Sequence, residues 1–339
     1  MPESDCSVGA VIVAFNAHDV ILGCVESLLA QHGGRPRIIV VDNASTDDTV
    51  AVLRGWAAGR ADVSLCEFGP EDRPDAAAAG DVTLVHAGVN GGFAGGVNRG
   101  LALLAAMPQI GHFWVLNPDA FADPGAVRAI LDEAARQPGY ALMGGRVCYA
   151  DPPTRIQIDG GRVNLWTGVS GNFNLGRDAG TTALPPAGRL DFITGANMVA
   201  SRGFYERVGP MREDYFLYYE EADWALRRGD MPLAVAPGFV VYHHAGTAIG
   251  SPTLDRLASP FSFWFKYHSR MLFVRRFNPA GLPVAMAYAT AKAAQLILKG
   301  ATAQAGALLR AVWGLGPPGS VRARLSPEAA RIAFGRGSR

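Results

Sequence analysis

Apolar residues fall in short uninterrupted runs separated by stretches of helical spacing. Val8–Ala14 is apolar throughout, as a strand buried on both faces requires. Asp19–Gln31 follows with Val20, Leu22, Val25, Leu28 and Leu29 at helical intervals. Ile38–Val41 is the next strand, and a helix through Trp56 follows it, with Ser45 or Thr46 as cap and Asp47 and Asp48 in its first turn. Further strands are predicted at Val63–Phe68, Val82–Val85, His112–Leu116, Ala141–Tyr149, Asp191–Ala200 and Leu233–Val241. Helices are predicted at Val97–Ala106, from about Asp123-Pro124, and at Ser201–Val208. Strand, helix, strand in this order predicts a doubly wound, mostly parallel α/β sheet with right-handed crossovers.

Two stretches depart from the pattern. Gly69–Gly80 reads as a surface loop, and residues 151–188 as an excursion of short strands and loops over the site, placed to hold an acceptor. Beyond Pro260 the character changes. Phe261–Arg276 is aromatic and basic, and Pro283–Leu298 and Ala301–Leu315 are Ala-rich. These predict a C-terminal helical extension, residues 259–339, on an α/β unit of residues 1–258. Its basic-aromatic face suits an anionic membrane surface and equally suits core packing.

Composition narrows the function. The 339 residues are 49% hydrophobic and 18% charged with a net charge of +1, which is globular and gives no electrostatic case for nucleic acid. Cys6, Cys24, Cys66 and Cys148 form no paired motif, so neither a disulfide framework nor a zinc site is expected. No signal-like leader and no apolar run of about 18 residues is seen, which leads us to expect a cytoplasmic protein, peripheral on the inner face of the membrane at most.

Candidate chemistry gathers at strand ends. Asn117-Pro118-Asp119 stops a buried strand and sets a carboxylate at its carboxyl end, where open α/β sheets bind ligands. Read alone, a turn or capping role explains Asp119 as well. Gly91, Gly92, Gly95 and Gly96 precede a helix and suggest backbone approaching a ligand, in a spacing that is neither the dinucleotide fingerprint nor the P-loop. In Tyr215–Arg228, helical spacing groups Leu217, Glu221, Trp224 and Arg228, with Glu220 and Asp223 alongside. A carboxylate walled by aromatics has its pKa raised toward that of a general base. His243 and His244, in tandem at a strand end before Ala245 and Gly246, suit metal or phosphate contact.

Taken together, the chain resembles the family-2 inverting glycosyltransferases of the GT-A fold, most closely their rhamnosyltransferase-like bacterial branch. The resemblance rests on seven elements in order: Val11–Asn16, Val40–Asp48, Asn90–Gly100, Leu116–Asp119, Asp191–Ala196, Phe216–Trp224 and Val241–His244. It implies that Asp119, with Asn117 in the place of a first acid, and His243 hold Mg²⁺ or Mn²⁺ on the donor diphosphate. Phe15, Asn16, Asp42, Asn43, Asn90, Gly91, Gly92 and Asn98, with Asn117, would form the donor site, Phe15 and Asp42 taking the nucleotide base. Glu221 would be the catalytic base with Glu220 as fallback, and Gly195, Ala196 and Trp224 would meet the acceptor. The implied donor is dTDP-L-rhamnose, with a UDP-sugar as its rival. The acceptor would be a glycan, a lipid-linked sugar or a small molecule, and a homodimer is left open. Where the family usually has Gly-Gly-Phe-Asp-Glu, this chain has Gly209-Pro210-Met211-Arg212-Glu213, a change that bears on acceptor specificity. A sugar nucleotidyltransferase would want a Gly-rich basic loop where Phe15-Asn16-Ala17-His18 stands. A non-catalytic sugar-binding module is the remaining alternative.

Overall fold

A computed structural model describes residues 6–72, 80–244 and 257–335. Part of the expected 69–80 loop, Ala245 and Gly246 lie outside these residues. The first half runs β1 (Val8–Ala14), α1 (Ile21–Leu29), β2 (Arg37–Asp42), α2 (Thr49–Ala58), β3 (Leu65–Phe68), β4 (Val82–His86), α3 (Gly92–Ala105), β5 (His112–Leu116), β6 (Ala120–Ala122) and α4 (Ala126–Arg136). The second runs β7 (Leu142–Tyr149), β8 (Ile156–Ile158), β9 (Gly161–Val163), β10 (Ser170–Asn172), β11 (Asn197–Ser201), α5 (Arg202–Val208), α6 (Glu220–Leu226) and β12 (Ala234–His243). Five helices follow: α7 (Pro260–Phe277), α8 (Leu282–Leu298), α9 (Thr302–Val312), α10 (Gly319–Arg322) and α11 (Pro327–Phe334).

Among the described residues one sheet has the order β3-β4-β2-β1-β5-β11-β7-β12-β6, with β8 on β7. The β3/β4, β4/β2, β2/β1, β1/β5 and β7/β12 pairs are parallel, and β11, β6 and β8 join antiparallel. Both faces are covered. Val11, Val13, Ile39, Val41, Phe113 and Val115 belong to one core cluster; Ala10, Ile12, Ile38, Val40, Trp114 and Leu116 belong to the other. That alternation explains why these strands are apolar at every position. The first cluster continues without a break into α7, α8 and α9, so the C-terminal helices share the core of the sheet domain.

Several expectations are revised. Helix α3 begins at Gly92, within the glycine cluster rather than after it. A Cβ on Gly96 would meet Val13 Cγ1 at 2.5 Å, and one on Gly100 would collide with Val11. These glycines therefore let the helix sit close on β1; only Gly92, at φ +80°, serves a turn. At α2, Ser45 and Thr46 do not cap: Asp47 Oδ1 accepts from Thr49 N at 3.0 Å, while Ser45 Oγ accepts from Asn16 N. The expected helical face including Leu217 is absent, because Phe216, Tyr218 and Tyr219 have φ of +25°, +67° and +72° and α6 starts only at Glu220.

Asp223 is fully buried and holds α6 to α7. It accepts from Arg276 Nη1 at 2.8 Å, from Arg227 Nε at 2.8 Å and from the Tyr215 hydroxyl at 3.0 Å. Removing it takes an acceptor from both guanidinium groups and from the buried Tyr215 hydroxyl. Asp223→Ala should lower stability by about 3 kcal/mol, measured as a shift in the urea midpoint with unchanged slope.

Candidate functional site

Strand register delivers the candidate residues to one edge. Ala14 pairs with Asp42, Asp42 with His86, and Ile12 with Leu116, so β1, β2, β4 and β5 all end together. From these ends come half-buried Phe15, Asn16 with φ +52°, buried Asp42 and Asn43, and the Asn90 to Gly92 turn. Asn16 Oδ1 accepts from Thr46 N at 2.8 Å and ties the first loop to the second. Asn43 Nδ2 donates to Asn90 Oδ1 at 3.1 Å and to the Gly92 carbonyl at 3.0 Å, while its Oδ1 accepts from Gly91 N at 3.1 Å. Both amides thus shape the glycine turn. Asp42 Oδ1 accepts from Ser45 N, and Oδ2 lies 3.4 Å from His86 Nδ1, a neighbour the sequence patterns did not single out.

The second group sits where β5 and β12 end. Antiparallel pairing of β6 with β12 sets His243 opposite Ala120, next to Asp119. His243 Nε2 lies 2.9 Å from Asp119 Oδ1 and 3.2 Å from Asn117 Nδ2, with Asp119 and His243 only 7% and 8% exposed. His243 Nδ1 is 2.8 Å from Gln157 Oε1, contributed by β8. A neutral imidazole that donates its Nδ1 proton to Gln157 has only a lone pair at Nε2. In that tautomer the lone pair and the Asp119 oxygen 2.9 Å away can share a cation; with the proton on Nε2 instead, the two form an ordinary hydrogen bond. Two ligands of Mg²⁺ at bonds of about 2.1 Å in adjacent octahedral positions sit about 3.0 Å apart, so the pair fits one edge of such a site. Among the described residues no three His, Cys, Asp or Glu side chains gather to hold a metal. The arrangement suits an ion that takes its other ligands from phosphate and water. His244 is exposed; its amide donates to the Asp119 carbonyl at 3.0 Å.

The third group is the acidic pair opening α6. The left-handed run at Tyr218 and Tyr219 turns Glu220 and Glu221 inward, and Oε2 of each is buried with no hydrogen-bond partner. Burial pushes both carboxyls upward; for Glu220, well above the usual range, the charge of Glu221 adds to the effect. Glu221 lines a cavity of about 90 Å³ with Ser170, Phe192, Tyr218, Tyr219, Ala222 and Lys266. A Cβ on Gly195 would lie 3.9 Å from Glu221 Cβ and 3.2 Å from the Phe93 ring. The next residue, Ala196, accepts from Asn117 N at 3.1 Å. Gly195-Ala196 therefore bridges the acidic pair and the Asp119 group.

Two expected site residues fall elsewhere. Trp224 is fully buried, packs edge-on against Phe204 and donates Nε1–H to the Gly209 carbonyl at 2.9 Å, so it is core and meets no acceptor. Both ends of the Asn98 amide are spent: Oδ1 accepts from Met211 N, and Nδ2 donates to Met211 O and Glu213 Oε1. Asn98 ties α3 to the turn before the aromatic run and is not free to line a donor. Arg212, at the departure from the family pattern, is exposed and pairs with Asp214. Gln157 and Ser170 lie in the 151–188 excursion expected over the site but were not singled out within it, and Lys266 and Arg270 are brought in only by the tertiary fold.

The profile of glycosyl transferase family 2 matches residues 10–208, more than half of the chain. The chain belongs to glycosyl transferase family 2. Named relatives agree with that membership. It is 30% identical over 197 residues to the N-acetylglucosaminyl-diphospho-decaprenol L-rhamnosyltransferase of Mycobacterium tuberculosis, covering 53% of this chain and 64% of that one. It is 23% identical over 255 residues to the low-salt glycan biosynthesis hexosyltransferase Agl10 of Haloferax volcanii, covering 73% and 70%. The chain thus spans less than two thirds of the mycobacterial relative's length. Among solved structures, GalNAc-T7 with UDP, GalNAc and Mn²⁺ shares the fold at a TM-score of 0.55 and 11% identity, over 85% of this chain and 51% of that one.

The burial of Trp224 generates a test. Trp224→Phe in this glycosyltransferase should cost about 1–2 kcal/mol of stability, since the Gly209 carbonyl loses its donor, and should leave KM for the acceptor unchanged. Denaturation curves and steady-state kinetics check the two halves separately.

Proposed function

We propose that this glycosyltransferase moves L-rhamnose from dTDP-L-rhamnose to an acceptor hydroxyl with inversion at the anomeric carbon. The observation that carries the reading is the bridge just described, in which Gly195-Ala196 joins Glu221 to the Asp119–His243 pair. A base and an anion-holding group must flank the same anomeric carbon, and this segment sets them on one edge.

Phe15 and Asp42 take the nucleotide base, and Asn43 and Asn90 hold the glycine turn of Gly91 and Gly92 against the donor. Asp119 and His243, with Asn117 beside them, would hold Mg²⁺ or Mn²⁺, which supplies Lewis-acid stabilisation of the leaving diphosphate. Glu221, as carboxylate, takes the proton of the acceptor hydroxyl. That oxygen attacks the anomeric carbon from the face opposite the diphosphate as the sugar–phosphate C–O bond breaks. One displacement completes the transfer, so a single base suffices and Glu220 supports it. The mycobacterial relative's name includes a lipid-linked diphosphate sugar and L-rhamnose. That name supports the donor and a lipid-linked acceptor here.

Transfer from dTDP-L-rhamnose with Mn²⁺ should exceed transfer from a UDP-sugar in a release assay for the nucleoside diphosphate. Glu221→Gln should lower kcat by at least about a hundredfold, and Asp119→Ala should abolish the metal dependence, both with the fold intact by circular dichroism. Because burial raises the Glu221 carboxyl, the base is lost as pH falls, and the acid limb of kcat/KM should lie above the ordinary glutamate range. Full turnover by Glu221→Gln would overturn the base assignment.

A membrane-facing role for residues 259–339 rests on charge. Residues 260–339 carry twelve Lys and Arg against one acid, Glu328, in a chain of net charge +1. Leu298 is 87% exposed and Trp313 58%, near Lys299 and Arg310 in sequence. No helix among the described residues is long and apolar enough to cross a membrane. Basic and apolar groups together suit the surface of an anionic bilayer. The protein should sediment with vesicles containing phosphatidylglycerol and not with purely zwitterionic ones, and Leu298→Glu with Trp313→Glu should release it.

A further inference from the structure

Helix α7 carries two cations to the wall behind the acidic pair, and they are not equivalent. Arg270 is 4% exposed and engaged: its Nε donates to the Tyr219 hydroxyl at 2.9 Å, and its guanidinium lies 4.4 Å from the Tyr267 ring centroid. Tyr219 in turn donates to the Gly168 carbonyl at 2.5 Å. Arg270 thus braces the strained turn that presents Glu220 and Glu221. Lys266, one helical turn earlier, has no ion-pair partner among the described residues, and it faces the same cavity as Glu221.

We propose that Lys266 is the positioning counter-charge of Glu221, acting across the cavity, and that α7 is thereby a wall of the reaction site. The inference rests on the reading of Glu221 as the base. Each carboxyl leaves its Oε2 buried without a hydrogen-bond partner, and although nearby backbone N–H groups draw both downward, two adjacent carboxyls share a proton unless a cation offsets their charge. The groups that face them are few. Glu220 adds negative charge, and the Tyr218 and Tyr219 phenols and Ser170 are neutral. Arg270 is turned onto tyrosines, and Lys292 of α8 acts on Lys266 rather than on the acids. Lys266 is left as the cation directed at Glu221, whose carboxyl it draws down against the upward push of burial. Burial first, then Arg270, brings the Lys266 ammonium itself down to about 8, so it is still mostly charged at neutral pH.

The test reads the coupling without any donor or acceptor. Protein labelled with ¹³C at the glutamate carboxyls is titrated by NMR, the Glu221 signal being assigned by its loss in Glu221→Gln. In Lys266→Met the Glu221 midpoint should rise by about one pH unit or more, a tenfold change in proton affinity, and Lys266→Arg should restore it. An unchanged midpoint in folded Lys266→Met overturns the proposal. Should Lys266→Met fail to fold, the reciprocal measurement decides: coupling between two sites is mutual, so Glu221→Gln must lower the Lys266 midpoint, seen in protein labelled at lysine Cε. A Lys266 midpoint that does not move overturns the proposal equally. Failure of the base reading is a separate result, since it appears as full turnover by Glu221→Gln and leaves the titration coupling intact.

Discussion

A parallel strand buried on both faces has nowhere to put a polar side chain except at its ends. Most of the candidate site follows from that constraint. The residues of β1, β2 and β5 alternate between two hydrophobic clusters, so their interiors carry no chemistry. Asn16, Asp42, Asn43 and Asn117 are the first polar groups beyond or at the carboxyl ends, and parallel register aligns those ends. Binding at a carboxyl edge is then a consequence of burial before it is a property of any one residue.

The same reasoning separates what was legible in the sequence from what was not. The strands and the carboxyl-end loops could be read because apolar runs and their polar stops are local signals. Asp119 and His243, 124 positions apart, could be paired only through the family resemblance; the physical reason is the β6/β12 register. Trp224 was placed at the acceptor by the resemblance alone; the fold packs its indole in the core against Phe204. Left-handed backbone at Tyr218 and Tyr219 interrupts the helical spacing expected from Leu217. The glycines of α3 were half understood: their density signalled close approach, but for Gly96 and Gly100 the approaching partner is β1. Asn98 has the residue type of a ligand contact and the bonding of a tether. Nothing local in α7 marks Lys266 or Arg270, whose meaning depends on packing between segments some 45 residues apart.

The electrostatics of α6 explain why the C-terminal helices are packed into the same core. Its first turn concentrates buried Glu220 and Asp223 with half-buried Glu221, whose Oε2 is buried. Three carboxylates in low dielectric are costly unless offset. Asp223 is offset by Arg227 and Arg276, and Glu221 shares a cavity with Lys266. Two of these three cations, Arg276 and Lys266, come from α7. Without that helix Asp223 would lose Arg276, the cavity beside Glu221 would lose Lys266, and the strained turn would lose the Arg270–Tyr219–Gly168 brace.

This arrangement divides labour between the two ends of the site. At the sheet edge, Asp119 and His243 are preset by strand register and by the Gln157 hydrogen bond, a rigid framework suited to a hard cation and phosphate oxygens. At α6, the charge state of the carboxyls is set by burial and by a neighbouring helix, a condition that can be tuned without moving the sheet. The Gly195-Ala196 segment is the common wall. Its backbone carbonyl fixes Asn117, and its missing side chain at Gly195 leaves Glu221 and Phe93 in close approach. A methyl group at position 195 would sit 3.2 Å from the Phe93 ring and in ordinary contact, at 3.9 Å, with Glu221 Cβ, so the glycine chiefly spares Phe93 beside the Asn90–Gly92 turn.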